Sequence, residues 1–421
     1  RLGSLFSTIT GSTPSTKDAS LYGDEYPFYK PTDLDAGFDV CVSEDTVSEK
    51  GYKNGRILPM YSVLVTCIGA TIGKTGYIKN SGICNQQINA ILPNTFILPE
   101  YTYFCMCSEF EQQQIWTNSS ATTLPILNKS KFDILFFPVP PKAQQTRTVE
   151  RIKELLHFVE IIQQEKRTLQ ETIKLTKSKI LDLAIRGKLV PQDPNDEPAS
   201  VLLERIRSEK EELIKQGKIK RDKKESVIFK GDDNSYYEKI GNDVTCIDDE
   251  ISFDIPDTWS WTRISTITDI TMGSSPKSQD ICNDNQYIEF HQWKIYFSKK
   301  TLMKSNQYTR KTTKLAPKQS VLLCVRAPVG ELNITDRDIC IGRGLASIKS
   351  LGNINEEFIF YWLHPYKTYL VNQSTGSTFS AITSDTVRKI LIPLPPLMEQ
   401  KEILDKIQKV FTLFENLETV N

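Results

Sequence analysis

Residues 138–191 read PVPPKAQQTRTVERIKELLHFVEIIQQEKRTLQETIKLTKSKILDLAIRGKLVP, and this stretch decides the architecture of the chain. After the Pro-Pro break, apolar residues recur every three or four positions. The heptad a positions are Ile152, Val159, Lys166, Ile173 and Ile180, and the d positions are Leu155, Ile162, Leu169, Thr176 and Leu183. The 32 residues of this register rise ~48 Å as a helix. A heptad of this length predicts a coiled coil.

A second stretch of the same kind closes the chain. Residues 393–396 read PLPP and lead into a helix with Ile403, Ile407, Val410, Phe414 and Leu417 at positions d, a, d, a and d. A Pro-Pro break suits a helix start, because a missing backbone N–H costs little there. Two helices in matched register most simply pack against each other as a coiled coil. The alternative is that each amphipathic helix lies on its own domain. The second helix is shorter, and we expect it to be truncated at Asn421.

An internal repeat surrounds these helices. Five blocks recur in the same order at offsets of 255 to 262 residues. The paired blocks are residues 1–14 with 263–276, 64–73 with 321–330, 83–84 with 339–340, 121–124 with 376–379, and 138–141 with 393–396. This period is far longer than that of a solenoid, so each copy is a whole domain.

Each copy has the pattern of an α+β domain. Short β-runs lie at residues 61–68, 88–92, 320–325 and 344–348, and helical stretches lie at residues 99–116 and 356–371. We predict two pseudo-symmetric globular α/β domains at residues 1–141 and 256–395, with long helices at 142–190 and 396–421. Residues 191–255 are predicted to hold a charged helix (199–224) and an acidic, turn-rich linker (231–250) that is peripheral and partly flexible.

Composition and length describe a chain with room for two or three globular domains. It has 421 residues, of which 39% are hydrophobic and 25% charged, values that are ordinary for a globular protein. No run approaches the ~18 apolar residues of a membrane span, and residues 1–10 lack the apolar core of a signal peptide. Because the first residue is Arg1, we expect the chain to begin inside a longer gene product.

The nine cysteines and three histidines do not predict a metal site. Zinc ligands usually come in repeated pairs two to four residues apart, whereas the closest cysteines, Cys105 and Cys107, form no C-x-x-C motif. An odd number of cysteines without a secretory signal indicates a reducing, intracellular compartment.

Motifs for catalysis are missing from the sequence. We find no G-x-x-x-x-G-K-[ST], no G-x-G-x-x-G at a strand-to-helix junction, no H-E-x-x-H, no G-x-S-x-G and no N-P-P-Y or D-P-P-Y tetrad. His157, His291 and His364 share no spacing with partners and are interpreted as structural. We therefore predict no catalytic residue, and we expect the chain to catalyse nothing alone.

The net charge is zero, but its distribution is uneven. Residues 1–141 carry −3 and residues 256–395 carry +6. Residues 294–318 hold eight Lys or Arg and no acidic residue, with Tyr296, Phe297 and Tyr308 interleaved. Because cations neutralise phosphates and polar side chains read base edges, this pattern favours nucleic-acid binding. A solvated basic face is the alternative.

The order of these features resembles that of the specificity subunit of type I restriction–modification enzymes. Three motifs carry the resemblance: LDLAIRGKLVP at residues 181–191, IPDTW at residues 255–259, and PLPPLMEQ at residues 393–400. The similarity covers the whole chain, except that the motif that enters the first domain would precede Arg1.

The resemblance implies a DNA-binding subunit without catalysis, in the cytoplasm of a bacterium. Each target-recognition domain would read one half of a split target in double-stranded DNA, and two antiparallel coiled-coil helices would set the gap between the halves. The helices would also dock methyltransferase (M) subunits, and a restriction (R) subunit would join for cleavage. No cofactor is expected on this chain; S-adenosylmethionine, ATP and Mg are expected on the partner subunits. A specificity chain of a fused nuclease–methylase system and a non-DNA coiled-coil adaptor are the alternatives.

The candidate DNA-binding residues come from four loops and from the basic stretches. By family resemblance the loops at residues 11–14, 121–124, 273–276 and 376–379 would lie near DNA, although ordinary turn chemistry explains their Gly, Ser and Thr equally well. The candidates are Ser12, Thr13, Lys17, Lys30, Lys74, Thr122, Thr123, Lys129, Ser274, Ser275, Lys277, Lys294, Lys299, Lys300, Lys304, Arg310, Lys311, Lys314, Arg326, Arg343, Ser377 and Thr378.

Overall fold

The computed structural model describes residues 1–120, 124–219, 221, 225–374 and 381–420, without the side chains of residues 419 and 420. The chain divides into two compact units, Arg1–Glu165 (unit 1) and Lys166–Asn421 (unit 2). The long helix that begins after the first Pro-Pro break starts in unit 1 and ends in unit 2.

The strands and helices follow one another in both units as mixed α and β structure. Unit 1 holds β1 (Thr8–Thr10), β2 (Tyr22–Tyr29), β3 (Asp45–Val47), β4 (Val63–Thr66), β5 (Thr75–Tyr77), β6 (Ile83–Cys84) and β7 (Ile88–Ile91). Its helices are α1 (Leu2–Leu5), α2 (Glu49–Asn54), α3 (Pro99–Met106), α4 (Glu109–Asn118), α5 (Lys129–Asp133) and the start of α6 (Lys142–Ile185).

Unit 2 continues with more strands. They are β8 (Ser226–Lys230), β9 (Tyr236–Ile240), β10 (Asp243–Cys246), β11 (Ser260–Arg263), β12 (Thr268–Met272), β13 (Ile281–Cys282), β14 (Ile288–His291), β15 (Tyr308–Thr309), β16 (Leu315–Ala316), β17 (Ser320–Cys324), β18 (Leu332–Thr335), β19 (Ile339–Ile341), β20 (Leu345–Ser350) and β21 (Leu391–Leu394). The helices are α7 (Ala199–Lys215), α8 (Ile264–Ile267), α9 (Glu356–Leu363), α10 (Lys367–Asn372), α11 (Ser384–Arg388) and α12 (Leu397–Val420).

The two units contain the same antiparallel sheet, with the order β1-β7-β4-β5 in unit 1 and β12-β20-β17-β18 in unit 2. In both, a parallel strand pair lies beside it, β2 with β6 and β14 with β19. The strands are continuous apolar runs because both faces of the sheet are buried: Val63 and Val65 face one core and Leu64 the other. The predicted duplication and α+β class are confirmed.

Strand pairing corrects two of the predicted block alignments by one residue. Gly11 and Gly273 donate to the carbonyls of Ile88 and Leu345, which pair with Thr66 and Cys324. Thr66, and not Cys67, is therefore the counterpart of Cys324. Ser12 and Ser274 likewise bond to Cys84 and Ile341, which makes Ile341 the counterpart of Cys84. A slip of one residue would have moved each side chain to the opposite face of the sheet.

The predicted helices within the domains are present but interrupted. The stretch 99–116 divides into α3 and α4 at Ser108, whose hydroxyl caps α4 by accepting the N–H of Glu111. The stretch 356–371 divides into α9 and α10 around Pro365, which has no N–H to continue the helix.

The prediction for residues 191–255 is wrong in its main point, because the segment is packed against the second domain. Helix α7 contributes Leu202 and Ile206 to the largest core of unit 2. Residues 226–246 form a three-stranded meander, β10-β9-β8, instead of a turn-rich linker. Arg263, whose side chain is 6% exposed, joins Glu238 and Glu250 at 2.6 Å each. The helix predicted for 199–224 ends at Lys215.

Both Pro-Pro breaks end in the same joint. The side chains of Gln145 and Gln400 are buried in the first turn of α6 and α12. Each amide Nε2 donates to the carbonyl of the preceding Pro, Pro140 or Pro395, at 2.9 Å. This bond ties the first turn of each helix to the proline that precedes it.

Within unit 2 the end of α6 and helix α12 pack antiparallel. Lys177 meets Glu418 at 3.1 Å near one end of the pair, and Gln192 donates to Glu399 at 2.5 Å beyond the other. Ile173, Ile403 and Ile407 are buried, as the heptads predict, whereas Leu181 is buried although it lies outside the predicted a and d positions. Helix α12 has 24 residues and α6 has 44, so the pair covers only the later part of α6.

The earlier part of the α6 stripe lies in unit 1, where Leu155 and Val159 are 48% exposed and Ile162 is 65% exposed. Their place in a coiled coil stays a prediction. At the far end of α12, Leu417 is 47% exposed, so the predicted d position is not buried there.

Candidate nucleic-acid interface

The sheet topology brings several chain ends together at one edge of unit 2. Strands β12, β14, β17 and β19 all end there, and β20 begins there, because β20 runs antiparallel to β12 and β17. The loops that follow these ends, with a neighbouring loop, form what we call the second loop surface: residues 273–277, 292–293, 310–314, 325–326 and 342–344. The equivalent first loop surface of unit 1 comprises residues 11–13, 30–31, 67–69 and 85–87.

Within each loop surface, close backbone contacts hold the loops together. A Cβ atom on Gly11 would lie 2.0 Å from the carbonyl oxygen of Asn85, and one on Gly273 would lie 2.1 Å from that of Gly342. The next residue donates its N–H across the same gap, from Ser12 to Cys84 at 2.8 Å and from Ser274 to Ile341 at 3.0 Å. Glycine is therefore required where the two loops cross.

The hydroxyl groups of the same motif hold the neighbouring turn. Thr13 donates from its Oγ1 to Gln86 Oε1. Ser275 Oγ accepts the backbone N–H of Arg343 at 3.3 Å and donates to Gln292 Oε1 at 3.1 Å. These predicted residues therefore bridge separate loops, which is more than capping of their own turn.

Exposed cations dominate the second loop surface. Arg310, Lys311, Lys314 and Arg343 are exposed, and the described residues place no carboxylate within 4 Å of any of them. Their loop is fixed next to the strand ends: Ile341 donates its N–H to the Lys314 carbonyl at 2.9 Å, and Thr313 donates from Oγ1 to the Ser274 carbonyl. Unpaired cations at a fixed edge suit a polyanion.

Two further predicted cations belong to this surface. Arg326 is exposed directly after Val325, whose N–H donates to the Gly344 carbonyl at 3.0 Å. Lys277 is exposed in the loop after Ser275. Lys304 lies apart from this surface, beside Ser305, whose hydroxyl donates to the Phe290 carbonyl.

Three other cations of the predicted basic stretch are paired with acids in unit 2. Lys294 lies 3.6 Å from Glu331, Lys299 lies 3.3 Å from Glu418, and Lys300 lies 2.6 Å from Glu357. Lys299 and Lys300 line a groove of about 1450 Å³ beside α6, α9 and α12. The structure thus splits one basic run into an ion-paired part and a part that has no acidic partner among the described residues.

The first loop surface is rich in amides. Asn85, Gln86 and Gln87 fill the turn between β6 and β7. Three of the four predicted lysines of unit 1 are ion-paired: Lys30 with Asp45, Lys74 with Asp35 at 2.6 Å, and Lys129 with Asp133 at 2.5 Å. Lys17 is exposed in the loop after Thr13, and no acid of the described residues pairs with it.

The amide turn and Gln292 were missed by the sequence reasoning. Residues 85–87 directly follow the repeated block at residues 83–84, and residues 342–344 follow the counterpart of that block. The residues next to the repeated block could therefore have been recognised as equivalent from the sequence. Four predicted residues, Thr122, Thr123, Ser377 and Thr378, lie outside the residues that the structure describes.

His291 lies beneath the second loop surface and is fully buried. Burial lowers its pKa to about 4, because the imidazolium form loses its hydration. Among the described residues neither ring nitrogen has a hydrogen-bond partner, and a carboxylate oxygen of Glu289 lies 3.8 Å from Nε2. The residue therefore supports the loops as a neutral side chain, in agreement with its structural interpretation. Its counterpart in unit 1, by strand pairing, is Tyr29.

In the part of the chain that the structure describes, no group of three or more His, Cys, Asp or Glu is placed to hold a metal ion. Over the same residues, no helix combines the length and the apolar character that crossing a bilayer requires.

Comparison with known proteins yields one family. The model of the type I restriction modification DNA specificity domain matches residues 1–171 and again residues 256–421. A Methanocaldococcus jannaschii protein named as the MjaX specificity subunit is 36% identical over 165 residues, which are 38% of this chain and 39% of that protein. The Escherichia coli EcoAI specificity subunit is 45% identical over 118 residues, 28% of this chain and 16% of the relative. The matches thus span less than half the length of these curated relatives.

Solved structures share the fold of the whole chain. A chain from a study of assembly and conformational transition of the type I R-M system aligns over 100% of this chain and 91% of its own length, with a TM-score of 0.69 at 20% identity. The HsdS subunit from Thermoanaerobacter tengcongensis aligns over 100% and 90%, with a TM-score of 0.60 at 19% identity.

Proposed function

The chain belongs to the family of type I restriction modification DNA specificity domains, and from this premise we propose that it is the sequence-specific DNA-binding subunit of a type I restriction–modification system. It selects a bipartite target, one half with each loop surface. Methyl transfer and cleavage take place on partner subunits, so that this chain needs no catalytic residue of its own.

The observation that carries the proposal is the duplicated pair of loop surfaces. Both have the same strand ends and the same glycine crossing, yet their exposed side chains differ. A protein that reads one sequence twice would need two equal surfaces. Equal frames with unequal side chains suit the reading of two different half-sites.

The side chains present are those that bind duplex DNA. Exposed Arg310, Lys311 and Lys314 supply cations for phosphates, and binding of each phosphate releases counterions. Amides and arginine supply the hydrogen bonds that distinguish base edges in the major groove. Phosphate contacts then position the chain, and base contacts give it specificity.

Helices α6 and α12 serve as the spacer in this proposal. The 44 residues of α6 rise ~66 Å, which exceeds the ~34 Å of one helical turn of DNA. A stiff element of this length lets two readers contact half-sites on separate turns.

The same helices are the proposed docking place for methyltransferase subunits that use S-adenosylmethionine, with an ATP- and Mg-dependent restriction subunit joining for cleavage. Charged groups on the surface of α6 support this. Arg151 pairs with Glu154 at 2.6 Å and Lys179 with Asp182 at 3.0 Å, both on the solvent side. Such exposed pairs contribute little to folding and can exchange partners on assembly.

Methylome sequencing tests the proposal. Cells that gain this chain together with its methyltransferase partner should acquire one new split motif, methylated at adenine in both halves. Cells that gain the partner alone are the control. If the pair is expressed and assembled but no new split motif is found, the proposed function is wrong.

A further inference from the structure

One equivalent position in the two loop surfaces carries different base-reading chemistry. Gln86 is the middle residue of the three-residue turn between β6 and β7, and Arg343 is the middle residue of the turn between β19 and β20. Both side chains are exposed. Their equivalence rests on strand pairing and on the shared glycine crossing.

In each turn, the middle residue is the one whose side chain can reach outward, because its neighbours cannot. In unit 1, Asn85 is buried and bonds to Gln87 through two hydrogen bonds, Nδ2 to Oε1 at 2.9 Å and Oδ1 from the Gln87 N–H at 3.1 Å. In unit 2, the flanking residues Gly342 and Gly344 have no side chain. Each turn therefore presents one reader.

Each reader is also oriented by the Ser/Thr of the crossing loop. Thr13 donates to Gln86 Oε1, which keeps a second lone pair for another donor, and the amide Nε2 keeps its two protons. Ser275 instead holds the backbone N–H of Arg343 at 3.3 Å, which fixes the turn and leaves the guanidinium without an acidic partner among the described residues.

Building on the proposed function, we propose that Gln86 and Arg343 are the equivalent base-reading residues of the two domains. Gln86 reads an adenine in the first half-site, accepting from N6 and donating to N7. Arg343 reads a guanine in the second half-site by donating to O6 and N7. These are the pairings that amide and guanidinium geometry make with purine edges in the major groove. Lys311 and Lys314, beside Arg343, contact phosphates.

The experiment uses the complex of this chain with its methyltransferase partner and compares the methylated motif of four forms: wild type, Arg343→Gln, Gln86→Arg and Lys277→Gln. Arg343→Gln should lose roughly tenfold to a hundredfold of the preference for one guanine in the second half-site, with the first half-site unchanged. Gln86→Arg should do the same to one adenine of the first half-site. Lys277→Gln, which removes an exposed cation from the same surface, should weaken methylation without changing either half-site.

Binding measurements decide the case in which a variant no longer methylates. Affinities are then measured for four duplexes that differ only at the guanine position. An equal loss for all four bases, or an unchanged guanine preference in Arg343→Gln, overturns the assignment; a selective loss for guanine supports it. If the wild-type complex itself yields no split motif, the proposed function fails first, and the two failures are thereby distinguished.

Discussion

In unit 1 the turn after β6 carries three amides, whereas in unit 2 the turn after β19 carries an arginine between two glycines. Both turns are nevertheless crossed by an equivalent glycine, Gly11 or Gly273, whose Cβ would lie 2.0 or 2.1 Å from a carbonyl oxygen of the turn. The surroundings differ in the same way, with −3 charges over residues 1–141 and +6 over residues 256–395. The backbone contacts are held constant while the exposed groups vary. The position of each turn and the chemistry of its exposed side chains are thus set by different residues.

The largest expected difference between the units concerns Arg263 and its repeat counterpart Arg1. Arg263 is buried between Glu238 and Glu250, whereas Arg1 is exposed over the ring of Phe136. Arg263→Met strands a carboxylate and should destabilise unit 2 by about 3 kcal/mol. Arg1→Met should cost less than about 0.5 kcal/mol. Hydrogen exchange resolved by peptide measures each unit separately; equal protection of unit 2 in wild type and Arg263→Met would contradict the prediction.

Acid should change the contributions of two buried groups, one in each unit, in opposite directions. Burial raises the pKa of Glu111 in unit 1 to about 7 and lowers that of His291 in unit 2 to about 4. The protonated Glu111 is favoured by folding, so unit 1 gains stability as pH falls from about 7 to 4.5. Neutral His291 is favoured by folding, so unit 2 loses stability as pH falls from about 6.5 to 4. Each effect is at most about 3 kcal/mol.

The measurement for acid is the exchange protection of each unit between pH 7.5 and 4.5. Glu111→Gln should remove the gain in unit 1, and His291→Tyr, which installs the side chain of its counterpart Tyr29, should remove the loss in unit 2. If Glu111→Gln leaves the acid response of unit 1 unchanged, or His291→Tyr leaves that of unit 2 unchanged, the assignment is refuted.

A smaller and equal effect is expected at the crossing glycines. Gly11→Ala and Gly273→Ala each force a methyl group against a carbonyl oxygen, at a cost of about 1–3 kcal/mol, and each should reduce recognition of its own half-site. Urea unfolding and the methylated motif measure the two effects. Ser12→Ala and Ser274→Ala are the controls, because they remove a hydroxyl without adding a contact. A glycine variant as stable as its serine control would show that the loops can separate freely.

The smallest effect concerns the salt dependence of DNA binding. Lys314→Ala should lower the slope of log K against log salt by about 1, because one phosphate contact is lost. Lys30→Ala in unit 1 should change it less, since Lys30 is already paired with Asp45. Equal slopes for the two variants would remove the distinction between paired and unpaired cations.

Local patterns in the sequence were sufficient for much of the fold. The heptad predicts the α6–α12 pair, and the β-runs at 61–68 and 320–325 contain β4 and β17. What failed depends on contacts distant in sequence. The one-residue register of β4 is set by pairing with β7, and the packing of residues 191–255 depends on Arg263 and on the core beneath α7.

The candidate site was predicted in part for the same reason. The loops that contain Gly11-Ser12-Thr13 and Gly273-Ser274-Ser275 repeat in the sequence and were therefore predicted. Which cations are neutralised could not be seen, because Glu331, Glu357 and Glu418, which pair with Lys294, Lys300 and Lys299, lie far along the chain. The amides of residues 85–87 carry no charge and no periodic signal.

The glutamine joint at the two Pro-Pro breaks has a consequence for the exchange of one domain for another. Gln145 and Gln400 make the same 2.9 Å bond to the carbonyl of the preceding proline, but Gln145 Oε1 also accepts the N–H of Leu98, in the domain before α6, at 2.9 Å. A different domain joined to α6 at Pro141 would keep the bond to the proline carbonyl and would have to supply its own donor for the glutamine oxygen.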